Sequence, residues 1–295
     1  MKQFLKNTIR FLVVLYGSIL VLMVFSNYVI NANADFKLQP NINKVVLGNS
    51  HPAGTFNDSL ISNFRNLSDP GDSYFYGYLK LKELLKQNFQ VDTVFVEFNP
   101  KTILAWEDSK LWKKHQIPNY LPFFDLKDHY LLATNNGLSY QQEVAKGVLK
   151  NVKRILKNRY LTIDSLGGFR HVDSSRLAAI LDTVSYDPRK QYSLNENRLS
   201  KYDITYLNKM VTYCKNNNIE VIFVRSPYHV MFDGHRYESI FQTYKKEHFP
   251  NIPFLDFQDF PMDDSEFKDL EHLNNIGARK FSLWFAQQNW SNIDF

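Results

Sequence analysis

The chain has 295 residues, 44% of them hydrophobic and 22% charged, with a net charge of +5. That composition fits one sizeable globular domain and excludes a disordered chain, and a mild positive balance without a Lys/Arg block gives no nucleic-acid patch. The single cysteine, Cys214, excludes an internal disulfide and offers no paired-cysteine metal site; following Val211 and Tyr213 in a helical pattern, it reads as a packed core thiol.

From the N-terminus, residues 11–30 are almost all apolar, broken by Tyr16-Gly17-Ser18 and Ser26-Asn27-Tyr28. They carry no charge and follow Lys2, Lys6 and Arg10. Twenty helical residues span a bilayer core, and the leading cations put the N-terminus in the cytoplasm and the chain after about residue 31 outside. Ala32-Asn33-Ala34 before Asp35 has the small-x-small form of a signal-peptidase site, but the apolar run is long for a signal peptide. The reading is a single-pass anchor in the inner (cytoplasmic) membrane, residues 1–34 including a linker. A periplasmic or extracellular domain of residues 35–295 comes after it. Cleavage of the first 34 residues is the alternative.

Val45-Val46-Leu47 then runs into Gly48-Asn49-Ser50-His51-Pro52. An apolar strand from Lys44 to Leu47 ends here in a tight turn, and such strand ends are where open parallel sheets bind ligands. A serine held there among backbone N–H groups is what a nucleophile beside an oxyanion site requires; a turn serine capping the next helix is the plain alternative. Next come a helix over 53–63, a short strand over 64–67, a turn over 68–72 containing Gly71 and a helix over 74–88. Val91 to Phe98 reads as the third strand, ended by Asn99-Pro100, with Glu97 and Asn99 sharing strand parity.

From Lys101 to Lys201 the pattern degrades into mixed aromatic and basic residues, with a helix over 140–160 and a Gly167-Gly168 loop. A hundred residues are too many for one connection, so 101–201 reads as an insertion that lids the crevice. A helix over 204–217 leads to the fourth strand, Ile219 to Val224, and to Arg225-Ser226-Pro227-Tyr228-His229 at its end. Arg225 is the choice there for a substrate contact, with a structural ion pair as the equal alternative. A helix over 237–247 and a fifth strand over 252–257 precede Asp269-Leu270-Glu271-His272, and Asn274 caps a last helix over 275–288. A carboxylate three residues from an imidazole can fix its tautomer and stabilise the imidazolium; a surface Asp-His pair near a helix start is the alternative. Strands separated by helices predict an α/β protein, a three-layer α/β/α sandwich on a mostly parallel five-stranded sheet. No glycine-rich phosphate loop and no zinc-like spacing occurs, so no cofactor or metal is expected.

Taken together, the Gly48-Asn49-Ser50-His51 block and the Asp269-Leu270-Glu271-His272-Leu273-Asn274 block resemble the SGNH (GDSL-like) hydrolase superfamily. The likeness is to its membrane-anchored branches of the alginate O-acetyltransferase and teichoic-acid D-alanylation type. The α/β-hydrolase elbow is absent, because Pro52 stands where its second glycine would be. The resemblance implies a Ser50, His272, Asp269 triad. It also implies an oxyanion hole from the Ser50 and Gly71 N–H groups and the Asn99 side chain, although the usual Gly-x-Asn-Asp block is missing; a plain turn glycine at 71 and a capping or turn asparagine at 99 are the alternatives. His51, beside the nucleophile, is assigned with Arg225 to substrate binding. The implied activity is an extracytoplasmic serine esterase or O-acyltransferase, with acetyl as the acyl group, acting on a cell-surface or exported polysaccharide. A membrane-bound O-acyltransferase is the implied partner. The rival readings are a non-catalytic polysaccharide-binding or assembly factor that keeps the fold, and a lipid or thioester hydrolase.

Overall fold

A computed structural model describes residues 1–135, 137–173, 175–192 and 199–288. Positions 289–295 of the expected domain, and 136, 174 and 193–198 of the expected insertion, lie outside the described residues. In chain order the elements are α1 (Lys2–Ala32), β1 (Lys44–Leu47), α2 (Ser50–Thr55), β2 (Phe64–Asn66), α3 (Tyr74–Leu85), β3 (Thr93–Glu97), α4 (Ile117–Tyr120), α5 (Leu126–Ala133), α6 (Gly137–Leu156), α7 (Leu177–Leu181), α8 (Tyr202–Asn216), β4 (Glu220–Arg225), α9 (Glu238–His248), β5 (Phe254–Asp256) and α10 (Asn275–Ala286). They form two compact units. One comprises Met1–Phe36 with Trp112–Thr162, the other Lys37–Leu111 with Ile163–Phe295. The stretch 101–201, read above as one insertion, is therefore divided: its ends belong with the sheet and its middle with α1.

In the larger unit the five strands are all parallel, in the order β2-β1-β3-β4-β5. The strands are short, and β1 and β3 are apolar on both faces because helices cover both sides. On one side Val46, Phe95, Ile222 and Val224 pack with Phe281 and Phe285 of α10. On the other, α3 meets α8, with Phe75 edge-on to Tyr206 at 4.9 Å between centroids. The chain leaves β1 for β2 on one flank and returns to β3 on the other. The C-terminal ends of β1 and β3 thus form the topological switch point, where such sheets open a crevice. The loop after β2 is drawn alongside, since Leu67 N–H donates to Val46 O and Asp69 N–H to Gly48 O. Lys80 of α3 secures that loop from inside: its buried ammonium donates to Leu67 O at 2.8 Å and pairs with Asp72 at 2.5 Å.

One boundary differs for a local reason. The helix expected over 53–63 is two elements, because two asparagines act as caps. Asn49 Oδ1 accepts from His51 N–H and starts α2 at Ser50; Asn57 Oδ1 accepts from Ser59 N–H and starts a 3-10 turn over Asp58–Leu60.

The smaller unit is helical. Its α1 has 31 residues and a mean hydropathy of 2.3 in its most apolar window, so it is long and apolar enough to cross a membrane; a signal sequence passes the same test. Near its end, Asn27 and Asn31 donate to the carbonyls of Leu121 and Pro122, and Asn151 of α6 donates to Asn27 Oδ1 at 2.9 Å.

Candidate active site

The turn after β1 is built on a close approach. A Cβ on Gly48 would meet Pro52 Cγ at 2.5 Å and both Cβ and Oε2 of Glu97 at 2.6 Å, so only glycine fits. Glu97, the buried last residue of β3, anchors this turn from below. Its Oε2 accepts from Asn49 N–H at 2.7 Å, and its Oε1 accepts from His51 Nδ1 at 2.7 Å and from Asn99 Nδ2 at 2.8 Å. Ser50 is the first residue of α2, where a backbone N–H has no acceptor within the helix.

Asp269 and His272 stand in a loop closed by the antiparallel bridge between Phe267 and Leu273. Asp269 Oδ1 accepts from the N–H groups of Glu271 and His272, both at 3.0 Å, which folds Asp-x-x-His into a tight turn. The same oxygen is 2.8 Å from His272 Nδ1, and His272 Nε2 is 2.8 Å from Ser50 Oγ. With the proton on Nδ1, the imidazole donates to Asp269 and accepts from the Ser50 hydroxyl. Partial burial pushes the Asp269 pKa up, but the bond and charge of His272, the Glu271 N–H and Lys268 leave it below the usual carboxylate value. A hydroxyl, an imidazole and an ionised carboxylate in this order can generate an alkoxide nucleophile and stabilise the imidazolium that results.

Ser50 opens onto a cleft of about 400 Å³ lined also by His51, Lys101, Trp106, Lys110, Asp233, Tyr237 and Glu271. That volume is in the range of small-ligand sites. Trp106 is 46% exposed and packs edge-on against Tyr237, with centroids 5.2 Å apart. Lys101 Nζ contacts Glu271 Oε1 at 2.8 Å and Asp233 Oδ1 at 2.9 Å, and lies over the Phe232 ring. Lys110 pairs with Glu107. The cationic groups of the cleft are thus each met by a carboxylate.

The remaining expected site residues fare differently. His51 borders the cleft, but its side chain is only 5% exposed and is spent internally, Nδ1 on Glu97 and Nε2 on Glu271 at 3.2 Å, with Tyr228 Oη 3.0 Å from Nδ1. Burial pulls its pKa down, yet Glu97 and Glu271 outweigh burial and raise it to about 9. His51 is therefore an imidazolium that ties the Ser50 turn to the His272 loop, which replaces the substrate-binding role. Asn99 is a cap: Oδ1 accepts from Lys101 and Thr102 N–H at 2.9 and 3.3 Å, Thr102 Oγ1 accepts from Asn99 N–H, and Nδ2 is held by Glu97. Those bonds serve the 3-10 turn over Pro100–Ile103 in place of an oxyanion. Gly71 occupies the left-handed region, with φ +83°, in the turn from Asp69 to Asp72, and is not among the residues lining the cleft.

Arg225 is a correction. It is fully buried, with Nε on Asp256 Oδ1 at 2.7 Å and Nη1 on Glu238 Oε2 at 2.6 Å. The β4–β5 register sets Arg225 opposite Asp256, so its charge is consumed by the fold, and the ion-pair alternative describes it. Glu97, Glu271, Lys101 and Tyr228 were not singled out from sequence. Three carried a signal: Glu97 by its parity with Asn99, Glu271 by lying between Asp269 and His272, and Tyr228 by standing at the end of the fourth strand.

A protein-family model carrying no functional description aligns with residues 178–293, which include β4, β5 and the Asp269–His272 loop. No curated protein matches the chain. Among solved structures, the chain is similar to a GDSL-like lipase from Bacteroides thetaiotaomicron. The identity is 13% and the TM-score 0.38, with 87% of this chain and 92% of that one covered.

Proposed function

We propose that this chain is an SGNH-type serine hydrolase or acyltransferase. The observation that carries the reading is the chain of two 2.8 Å contacts from Ser50 Oγ through His272 to Asp269 Oδ1, drawn from positions 222 apart in sequence. His272 takes the Ser50 proton as Oγ attacks an ester carbonyl, and returns it to the departing alcohol. The resulting acyl-enzyme is released to water or to a sugar hydroxyl. The Ser50 N–H is the candidate oxyanion donor; one such donor is worth about 3 kcal/mol in the transition state.

The finer reading is O-acetyl transfer to or from a cell-envelope polysaccharide. It is supported by the half-exposed Trp106, which lines the same cleft as Ser50 and carries an aromatic ring of the kind that stacks on sugars. It is also supported by α1, which suits a single-pass inner-membrane anchor with its N-terminus inside. A membrane-bound O-acyltransferase is the proposed acyl source. The test is acyl release from an activated ester by the full-length protein in detergent, beside Ser50→Ala and His272→Ala. Both substitutions are expected to abolish release with the unfolding midpoint little changed. Undiminished release by Ser50→Ala would overturn the role of Ser50, and no release by the wild-type protein would replace the enzyme reading with the polysaccharide-binding or assembly factor.

A further inference from the structure

Helix α6 uses one face for packing and leaves a different, organised face outside. The packed face carries Tyr140, Glu143, Gly147, Val148 and Asn151. Gly147 lets it close on the segment beneath, since a Cβ there would meet Leu121 Cδ2 at 2.6 Å. At about 100° per residue, Leu138 and Leu156 stand half a turn out of phase with Gly147, and Leu149 falls on the same line. Leu138, Leu149 and Leu156 are 76%, 69% and 79% exposed. On α5, Leu126 and Tyr130 are one helical turn apart and are also exposed. Beside the leucine line runs a line of exposed lysines: Lys146, Lys150, Lys153 and Lys157. Lys146 also contacts Glu143, and Lys150 contacts Asn119.

Leucines in register with a lysine flank are the pattern of a helix lying in a membrane interface, apolar side in the acyl boundary and ammonium groups at the phosphates. The attachment of α6 indicates what covers this face. Asn151 of α6, with the carbonyls of Leu121 and Pro122, is bonded to Asn27 and Asn31 in the last two turns of α1. A span of that composition leaves the hydrocarbon at this level. Lysine is depleted from protein–protein interfaces, which favours lipid over a second protein as the occupant. We propose that the exposed face of α5 and α6 docks on the surface of a bilayer containing anionic phospholipid. The helical unit would then lie on the membrane that α1 crosses. This rests on the reading of α1 as a membrane span.

The test uses the full-length protein in lipid nanodiscs, with an environment-sensitive fluorophore on Leu149→Cys or Leu156→Cys. Leu20→Cys in α1 serves as the reference, and Cys214 is left in place because it is buried. In discs containing phosphatidylglycerol, acyl-brominated lipid should quench the labels at 149 and 156 nearly as it does at 20. Each Lys→Gln change at 153 or 157 should lower the docked-to-undocked ratio roughly fivefold in anionic discs and little in phosphatidylcholine discs. Labels at 149 and 156 that stay unquenched while 20 is quenched would overturn the docking and leave the span intact. Unquenched labels in discs that are shielded from reaction in native membranes would give the face to a protein partner and equally overturn it. An unquenched label at 20 would remove the span itself. Ester turnover by each labelled variant checks that it is folded.

Discussion

His51 makes the folded protein's stability depend on pH in a direction that can be worked out. Its imidazole is buried between Glu97 and Glu271 and titrates near 9, against 6.5 for an ordinary histidine. Below pH 6.5 the ring is protonated in both the folded and the unfolded chain, and its full contribution to stability is present. Between 6.5 and about 9 the unfolded chain has released the proton while the native state still binds it. The unfolding free energy therefore falls with a slope approaching about 1.4 kcal/mol per pH unit. Across the window the loss sums to about 3 kcal/mol. The assay is urea unfolding of the full-length protein in micelles, followed by tryptophan fluorescence from about pH 6 to about pH 9.5, for the wild type and His51→Gln. Cys214, whose thiol is pushed up to about 12 by burial, contributes a slope of the same sign, but it is common to both proteins and cancels in their difference. The stability gap between them should shrink by about 3 kcal/mol over the range. A gap that stays constant would refute the assignment of an imidazolium between two carboxylates.

Lys80→Met should destabilise the sheet unit by about 3–5 kcal/mol, because it removes the ammonium from a buried pair and leaves the Asp72 carboxylate behind. Adding Asp72→Asn should restore much of that loss, as read from urea midpoints. Gly48→Ala forces a methyl to within 2.6 Å of Glu97, at a cost of about 1–3 kcal/mol. Because Glu97 holds Asn49 N–H, its turnover of an activated ester should fall further than its stability does; unchanged turnover would show that the turn tolerates the shift. Trp106→Ala should raise KM for a glycan acceptor while turnover of a small activated ester stays close to wild type. Equal losses on both substrates would place Trp106 in support of the nucleophile turn instead.

The sheet was legible because its signals are local. Val45-Val46-Leu47 and Val221-Ile222-Phe223-Val224 are uninterrupted apolar runs, each followed by a polar turn, and all five strands lie within two residues of their expected bounds. The Asp269-x-x-His272 spacing was legible for the same reason: the turn that unites the two side chains is made by Asp269 itself. What stayed hidden depends on partners far along the chain. Arg225 looks like a ligand at a strand end until β5 brings Asp256 beside it. Glu97 looks like an ordinary strand residue until the Gly48 turn closes on it. The helical unit was masked most completely, since Asn27 and Asn151 are 124 positions apart and nothing in either segment names the other.

The strand order also has a consequence for when activity can begin. The flank β2-β1-β3 is made from residues 44–97, whereas β4 starts at Glu220 and His272 comes after β5. A ribosome delivers the first flank, with Ser50 already at its turn, long before the second exists. Throughout synthesis Ser50 is therefore an ordinary hydroxyl, chemically silent for want of a base. On the proposed mechanism it can act as a nucleophile only once some 220 further residues have been made and His272 has reached it beyond β4 and β5. If the proposed triad operates, a chain that ends before His272 lacks its base, and the order of the strands then acts as a timer on the chemistry.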